Sequence, residues 1–155
     1  MKVHLWAMGA SSDPWVAQGE DLYRKRIERY LPFEYKCIQA SKNNQGHLVL
    51  ADEAKWLLQQ FDNTPTKVIL LDERGPQLTS VAFSSRLETW RQGSHKRLVF
   101  VIGSAYGFDQ KMYDRADGLI GLSAMTLPHQ LCRLMMLEQL YRACTILRGE
   151  SYHHA

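Results

Sequence analysis

The chain has 155 residues, of which 45% are hydrophobic and 23% charged, and its formal net charge is +3. This length and composition fit one globular domain over residues 1–155. Such a domain can bury a hydrophobic core without needing disulfide bonds or a metal ion for stability. No apolar run approaches the roughly 18 residues that span a bilayer, and the first apolar stretch is too short for a signal-peptide core, so we expect a cytoplasmic protein without membrane contact.

The predicted elements alternate between strands and helices from the N-terminus. "KVHLWAM" is typical of a strand, and Asp13-Pro14 supplies an N-cap and a first-turn proline for a helix that runs to about Leu31. "FEYKCIQ" alternates as a strand, and "LVLADEAKWLLQQFD" repeats apolar residues at helical spacing. The first half therefore predicts the order strand, helix, strand, helix.

The second half of the chain continues this alternation. "KVILLD" and "RLVFVIG" are continuous apolar strands of the kind buried on both faces, and "SVAFSSRLETWRQG" between them predicts a helix that ends at Gly93. A short helix from about Asp109 to Ala116, the short strand "GLIGLS" and a long helix from Pro128 to about Leu147 follow. The order predicts an α/β fold, a mostly parallel sheet of about five strands flanked by helices.

Three loops follow strands of the second half: "LLDERG", "IGSAYG" and "LSAMTLPH". Parallel sheets bind ligands outside the carboxyl ends of their strands, so these loops are candidates for a site. Neither a G-x-G-x-x-G fingerprint nor a Walker lysine is present. Gly103 and Gly107 fit either a tight turn or close ligand approach, and Asp72 fits either a strand-end charge or a ribose contact.

The last helix is apolar almost all round, so most of its circumference must be covered by protein. One small sheet cannot cover it, and we therefore expect a homodimer. At 100° per residue His129 and Arg133 share one face, whereas Glu138 and Arg142 form an i,i+4 pair on the opposite face. An ion pair is the favoured interpretation of Glu138 and Arg142, while the role of His129 stays open.

Cations and aromatics are concentrated in "YRKRIERY", which holds Arg24, Lys25, Arg26 and Arg29. Such a cluster suits a phosphate-rich partner, but a solvated helix face relieved by Glu20, Asp21 and Glu28 is slightly favoured for the motif in isolation. The three cysteines Cys37, Cys132 and Cys144 are predicted to be buried reduced thiols rather than disulfides or zinc ligands. The tail "RGESYHHA" is expected to be exposed.

The segments "LLDERG", "IGSAYG" and "LSAMTLPHQLCRLMMLEQLYRACTILRGESYHH" resemble the RlmH family, SPOUT-class methyltransferases that modify N3 of a pseudouridine in large-subunit ribosomal RNA. The resemblance covers essentially the whole chain in length and element order. It implies a C-terminal trefoil knot, a homodimer and S-adenosylmethionine, with no metal, bound in a bent shape among the knot loops. General rules of chain connection argue against any knot.

The resemblance also implies which residues bind the cofactor: Leu71, Gly103, Leu122, Ser123, Ala124, Met125, Thr126 and Leu127. A loop without charges offers backbone groups to adenine and surrounds the ring with apolar side chains. One departure from the family is Ser104, which stands where members commonly have a second glycine. A serine there strains the loop if the position needs a positive φ.

Methyl transfer from a sulfonium to an imide nitrogen requires alignment and help in removing the N3 proton. We expect a base or a stabilising cation among His129, Arg142 and His153, with Tyr152 positioning the base and Glu138 orienting Arg142. The RNA partner is expected to be an assembled ribosome or large subunit, read by shape through phosphate contacts from residues such as Arg24–Arg29. A catalytically silent ribosome-associated module and a flavodoxin-like nucleotide binder are the alternatives.

Overall fold

The computed structural model describes residues 1–9, 13–39 and 41–154. The elements in chain order are β1 (Lys2–Met8), α1 (Pro14–Glu28), β2 (Phe33–Ile38), α2 (Gly46–Phe61), β3 (Thr66–Leu71), α3 (Ser80–Arg91), β4 (Arg97–Ile102), α4 (Gln110–Arg115), β5 (Gly118–Ile120) and α5 (His129–Leu147). Each element that the sequence predicts is present in this order. The α/β fold class is therefore confirmed.

The sheet has five parallel strands in the order β2-β1-β4-β3-β5. Strand β4 lies at its centre between β1 and β3, so it is buried on both faces, as its continuous apolar sequence predicts. Leu98 and Phe100 belong to the core on one face, and Val99 and Val101 belong to the core on the other. All four side chains are fully buried.

Helices cover the two faces of the sheet unequally. α1, α3 and α5 contribute to the core that contains Phe100, whereas α2 and α4 contribute to the core that contains Val99. α5 packs against both α1 and α3. We expected α5 to need cover beyond the sheet, and α1 and α3 provide part of this cover within one chain. Met135 nevertheless remains 39% exposed.

The start of α1 differs in detail from the sequence prediction. Asp13 precedes Pro14 as expected, but its side chain makes no capping hydrogen bond. Instead the backbone N–H of Asp13 donates to Oε1 of Gln130 at 2.6 Å, and Nε2 of Gln130 donates back to the Asp13 carboxylate at 3.3 Å. These bonds join the first residues of α1 and α5. The helix ends at Glu28 rather than at Leu31, since a turn leads into Pro32.

The prediction of buried, reduced cysteines is correct for Cys144 and only partly correct for Cys132. All three thiols are free; Cys144 is buried and Cys132 is half-buried. Cys37 is exposed, and the prediction that it is buried is wrong because β2 is an edge strand with a neighbour on one side only. Across the described part of the chain, no helix combines the length and apolar character needed to cross a membrane.

Candidate active site

The three loops that follow β3, β4 and β5 form the walls of one cavity of about 360 Å³. They meet because parallel strands all end at the same edge of the sheet, and β4, β3 and β5 are neighbours. The start of α5 closes the cavity with His129 and Cys132. A cavity of this size is within the range of roughly 300–1,000 Å³ typical of small-molecule sites.

Gly103 and Gly107 shape the loop after β4. A Cβ atom on Gly103 would lie 2.7 Å from the backbone oxygen of Gly107, so a side chain there would displace the loop. Gly107 has a φ of +85°, which favours glycine. The turn geometry thus accounts for both residues, and both also line the cavity.

Ser104 does not strain this loop. No non-glycine residue among residues 1–9, 13–39 and 41–154 has a positive φ. The Oγ hydroxyl of Ser104 donates to Oε2 of Glu53 on α2 at 3.1 Å. The serine therefore fits the loop without a conformational penalty and gains a hydrogen bond that glycine lacks.

The uncharged loop after β5 lines the cavity along most of its length. Leu122, Ser123, Met125, Thr126 and Leu127 lie in the wall, together with Leu71 and Gly103 from the other two loops. Ala124 is exposed and is not part of the wall. The Oγ atom of Ser123 accepts a hydrogen bond from the backbone N–H of Met125 at 3.0 Å, so this hydroxyl holds the loop in its own turn.

Asp72 serves the loop after β3 as an internal anchor. Its carboxylate accepts a hydrogen bond from the hydroxyl of Tyr113 and a second from the backbone N–H of Arg74 at 2.8 Å. The Arg74 guanidinium also lies 4.7 Å from the centroid of the Tyr113 ring. Burial, and then the bond to Asp72, raises the pKa of Tyr113 to about 12. Sequence reasoning missed Tyr113, since one tyrosine on a short helix carries no pattern.

His129 is the titratable side chain at the α5 end of the cavity. Its Nδ1 atom is buried and has no hydrogen-bond partner within the described residues. Burial lowers the pKa of His129 below the usual 6.5, and the charge of Arg133 one turn along the helix lowers it further. The ring is therefore neutral at neutral pH and keeps a lone pair for a proton.

The other predicted catalytic residues, Glu138, Arg142, Tyr152 and His153, form what we call the tail cluster. Arg142 donates from Nε and Nη2 to Oε1 of Glu138, at 3.0 and 2.6 Å, which confirms the predicted ion pair. The Tyr152 hydroxyl donates to the same oxygen at 3.0 Å. Burial, with hydrogen bonds to Tyr23 and Glu138, raises the pKa of Tyr152.

The tail is docked on the fold and is not exposed along its whole length as expected. The Tyr152 ring packs edge-on against Tyr141 with centroids 4.7 Å apart, and the Tyr30 hydroxyl donates to Glu150 at 2.7 Å. Tyr152 and His153 are half-buried, whereas His154 is exposed. One ring contact with α5 and one hydrogen bond from Tyr30, just after α1, thus hold a segment whose terminal position alone predicts fraying.

His153 is bonded to Arg142, with 3.0 Å between Arg142 Nη1 and His153 Nδ1. A guanidinium only donates hydrogen bonds, so Nδ1 must be the acceptor. The ring is then neutral, and its remaining hydrogen is on Nε2. In this arrangement His153 presents a donor rather than a base.

The tail cluster and His129 are far apart within one chain. His129 begins α5 and Arg142 lies thirteen residues further on, a distance of about 20 Å along the helix axis at 1.5 Å per residue. The structure therefore brings four of the five predicted catalytic residues together and leaves His129 at the cavity.

The basic cluster on α1 is partly neutralised, as the sequence suggested. Arg24 pairs with Asp21 and Glu28, both at 2.6 Å, and Lys25 pairs with Asp21 at 2.8 Å. The Arg26 guanidinium lies over the rings of Tyr23 and Tyr141. Arg29 is exposed. Glu20 does not relieve the cluster as expected, because it is buried and accepts a hydrogen bond from Tyr35.

Within residues 1–9, 13–39 and 41–154, no three histidine, cysteine, aspartate or glutamate side chains are grouped so that they could hold a metal ion. The site thus consists of a three-loop cavity with a neutral histidine at its rim, and a separate cluster of polar and charged side chains at the other end of α5. The loop after β5 brings no charge to the cavity, whereas the loop after β3 brings Asp72, Glu73 and Arg74.

Comparisons with known proteins agree with this architecture. A family model described as predicted SPOUT methyltransferase matches residues 1–153. Two relatives named ribosomal RNA large subunit methyltransferase H are 42% identical in Cytophaga hutchinsonii and 43% identical in Trichlorobacter lovleyi, each over 99% of this chain and 100% of the relative.

Solved structures share the fold at low sequence identity. One described as "a probable methylase family protein" from Haemophilus influenzae Rd KW20 superposes with a TM-score of 0.57 at 9% identity, over 99% of this chain and 70% of its own. Another, from work on 2-OH methylation of C/U34 on tRNA, has a TM-score of 0.50 at 11% identity, over 96% of this chain and 98% of its own.

Proposed function

The chain belongs to the SPOUT methyltransferase family, and we propose that it transfers a methyl group from S-adenosylmethionine to N3 of a pseudouridine in large-subunit ribosomal RNA. Relatives at about 40% identity over the full length are methyltransferases of that RNA by name, and this places the chain in the same enzyme class. The single structural observation that supports the proposal is the cavity enclosed by the three loops, in which the whole loop after β5 is uncharged. Membership of the family also implies the C-terminal trefoil knot.

The cavity residues fit the cofactor in chemistry and size. Leu71, Leu122 and Leu127 supply apolar walls for an adenine ring, and the loop after β5 supplies backbone donors and acceptors for its edge. Gly103 keeps the loop after β4 narrow at the point where a side chain would collide with Gly107. When bound, S-adenosylmethionine supplies the electrophilic methyl group, so the protein needs only to align and deprotonate the acceptor.

We assign proton removal to His129. It lies at the rim of the cavity, its Nδ1 has no protein partner in the described ranges, and its lowered pKa keeps the ring neutral at neutral pH. A base with these properties can take the N3 proton of an imide without first losing its own. His153 is less suited to this step, because its Nδ1 lone pair is occupied by Arg142.

The tail cluster acts on the cavity of a second copy of the chain in this proposal. About 20 Å of helix separates His129 from Arg142 in one copy, so a homodimer is needed to bring both ends together. The outward side of α1 and α5 exposes apolar surface at Trp15, Leu22 and Met135. Glu138 and Arg142 follow Met135 at i+3 and i+7, on the same side of α5. A dimer through this surface places the tail cluster at the interface.

In such a dimer the tail cluster supplies hydrogen-bond donors near the reacting pseudouridine. Arg142 and Nε2–H of His153 stabilise negative charge that develops on the imide as its proton leaves. Glu138 fixes Arg142 with two hydrogen bonds, and Tyr152 fixes Glu138 with a third. A non-catalytic ribosome-associated module would have no use for either the cavity or this arrangement.

The RNA partner in this proposal is the large subunit or the assembled ribosome, held by phosphate contacts. Arg29 at the end of α1 is exposed and free to meet phosphates, whereas Arg24 and Lys25 are already paired with carboxylates. Contacts of this kind follow the shape of a folded RNA more than its sequence.

Mass spectrometry of ribosomal RNA tests the proposed function. We expect 23S RNA from a deletion strain to lack one N3-methylated pseudouridine, and the purified protein with S-adenosylmethionine to restore it on ribosomes. Calorimetry should show one bound cofactor per chain. An unchanged methylation map in the deletion strain, or a protein that does not bind the cofactor, contradicts the proposal.

A further inference from the structure

A second cavity lies beside the cofactor cavity at the same edge of the sheet. Its volume is about 430 Å³, and it lies where β1 and β2 end and α2 packs against them. Glu53 lines this second cavity and also bonds to Ser104, which lines the first. The two cavities therefore share a wall.

Glu53 has an unsatisfied oxygen in this wall. The side chain is only 5% exposed, and while Oε2 accepts from Ser104, Oε1 is buried without a hydrogen-bond partner in the described chain. Burial raises the pKa of Glu53, and the bond from Ser104 partly offsets this. Buried acceptors are nearly always paired in folded proteins, so an unpaired one beside a cavity points to a ligand that donates a hydrogen bond.

The neighbouring Asp52 provides a contrast. Its carboxylate accepts hydrogen bonds from the Ser41 hydroxyl at 2.7 Å and from the side-chain amide of Asn43. The loop before α2 thus satisfies Asp52 from within the chain. Glu53 is the next residue, and its Oε1 atom receives no hydrogen bond from the described chain.

The other walls of the second cavity suit an aromatic anion. The half-buried Trp56 is held edge-on by Trp6 at 6.0 Å and offers an indole surface for stacking. Lys36 and Lys42 are exposed at the rim, where their ammonium groups can meet a phosphate. Aromatic platforms flanked by cations are the usual means of holding an unpaired nucleotide.

We propose that the second cavity binds one nucleotide of the RNA substrate, separate from the methylated one, whose base carries an exocyclic amino group. The amino group donates to Oε1 of Glu53, as carboxylates accept from N4 of cytosine. Uracil has a carbonyl at that position, so its oxygen and the carboxylate oxygen would both be acceptors and would repel each other. This inference rests on the proposed function for its RNA, but its chemistry is set by the second cavity alone.

Binding in the second cavity is coupled to the cofactor loop through Glu53. A base that engages Oε1 fixes the carboxylate, and the carboxylate fixes Ser104 through Oε2. Glu53 is therefore both a specificity determinant for the flanking nucleotide and a positioning residue for the loop after β4.

The test measures binding of cytidine and uridine 5′-monophosphate by NMR titration of the tryptophan indole signals. S-adenosylhomocysteine is present at saturation so that the cofactor cavity is blocked. We expect cytidine monophosphate to bind about tenfold more tightly than uridine monophosphate, a typical gain for one specific base contact. Equal affinities, or no binding of either probe, would overturn the proposal.

Two variants separate the roles within the second cavity. Glu53→Gln should abolish the preference for cytidine, because the amide can present its NH₂ group to a carbonyl, and a preserved tenfold preference contradicts the proposal. Lys42 is exposed, so Lys42→Ala should fold normally. This variant should bind both nucleotides more weakly and by the same factor. Unchanged affinities also count against the proposal. Binding of S-adenosylhomocysteine reports separately on the proposed function, since only that function fails if this ligand does not bind.

Discussion

Arg142 donates from Nη1 to Nδ1 of His153 at 3.0 Å, and this bond fixes the imidazole as the neutral form that carries hydrogen on Nε2. The histidine at the tail is thereby a hydrogen-bond donor. The histidine at the cavity, His129, keeps the free lone pair. In the proposed mechanism the two residues therefore have different roles, His129 as the base and His153 as a hydrogen-bond donor.

Two amide substitutions test the donor role of His153. His153→Gln keeps an N–H close to Nε2 and should retain methyl transfer within about tenfold, whereas His153→Asn keeps only the acceptor for Arg142 and should lose about 100-fold, as expected when one stabilising donor is removed. Incorporation of a tritiated methyl group into ribosomes measures both rates. Equal activity of the two variants contradicts the assignment.

Deleting residues 151–155 should abolish turnover and leave the dimer intact, because Tyr152 and His153 belong to the tail cluster whereas the exposed apolar surface lies on α1 and α5. Sedimentation velocity checks the dimer. Mixing the truncated chain with His129→Ala should restore about a quarter of wild-type activity, since each mixed dimer of twofold symmetry holds one complete site. No recovery on mixing, with dimers that demonstrably exchange, would show that the site lies within one chain.

Gly103→Ala should weaken cofactor binding by at least about tenfold, or 1.4 kcal/mol. Its Cβ would lie 2.7 Å from the Gly107 oxygen, so the loop that lines the cavity must shift. Gln110→Ala, an exposed change just beyond the same loop and outside the cavity wall, is the control and should bind normally. Calorimetry with S-adenosylmethionine measures both variants, and a normal affinity in Gly103→Ala would contradict the assigned wall.

Stability should fall as pH decreases from about 6.5 towards 4 because of His4. Burial lowers the pKa of His4 to about 4, and this outweighs the opposing attraction of Glu34. In that window the unfolded chain binds a proton that the folded chain does not, so the stability is fully present above the unfolded pKa and is lost as the pH falls. The effect is on the order of 3 kcal/mol. In urea denaturation, the free energy of unfolding of His4→Gln should depend less steeply on pH than that of the wild type. The same pH dependence in both proteins excludes His4 as the cause.

Arg29→Ala should reduce the affinity for ribosomes. The dependence of this affinity on salt concentration should also become shallower, by the amount expected for about one lost phosphate contact. Arg24→Ala should have a smaller effect, because Arg24 is already paired with Asp21 and Glu28. Pelleting assays over a range of potassium concentrations compare the two. A larger loss for Arg24→Ala would mean that the ion pairs on α1 open when RNA binds.

Local patterns in the sequence determined most of the fold. Apolar runs such as Leu98–Ile102, helical spacing in α2 and α5, and turn residues such as Pro32 predicted every element, because strand and helix periods are local properties of the chain. They also predicted that three loops would share one edge, since parallel strands end together. The residues of the cofactor loops came from resemblance to a family and not from periodicity.

Tertiary structure alone decided which of these pieces meet. The insertion of β4 between β1 and β3, the exposure of Cys37 on the edge strand, and the docking of Tyr152 against Tyr141 depend on contacts distant in sequence. The pairing of Ser104 with Glu53 joins residues 51 positions apart, and no local pattern marks it. The length of α5 separates His129 from Arg142. The sequence proposed both as catalytic candidates, but only the geometry determined that one chain does not bring them together.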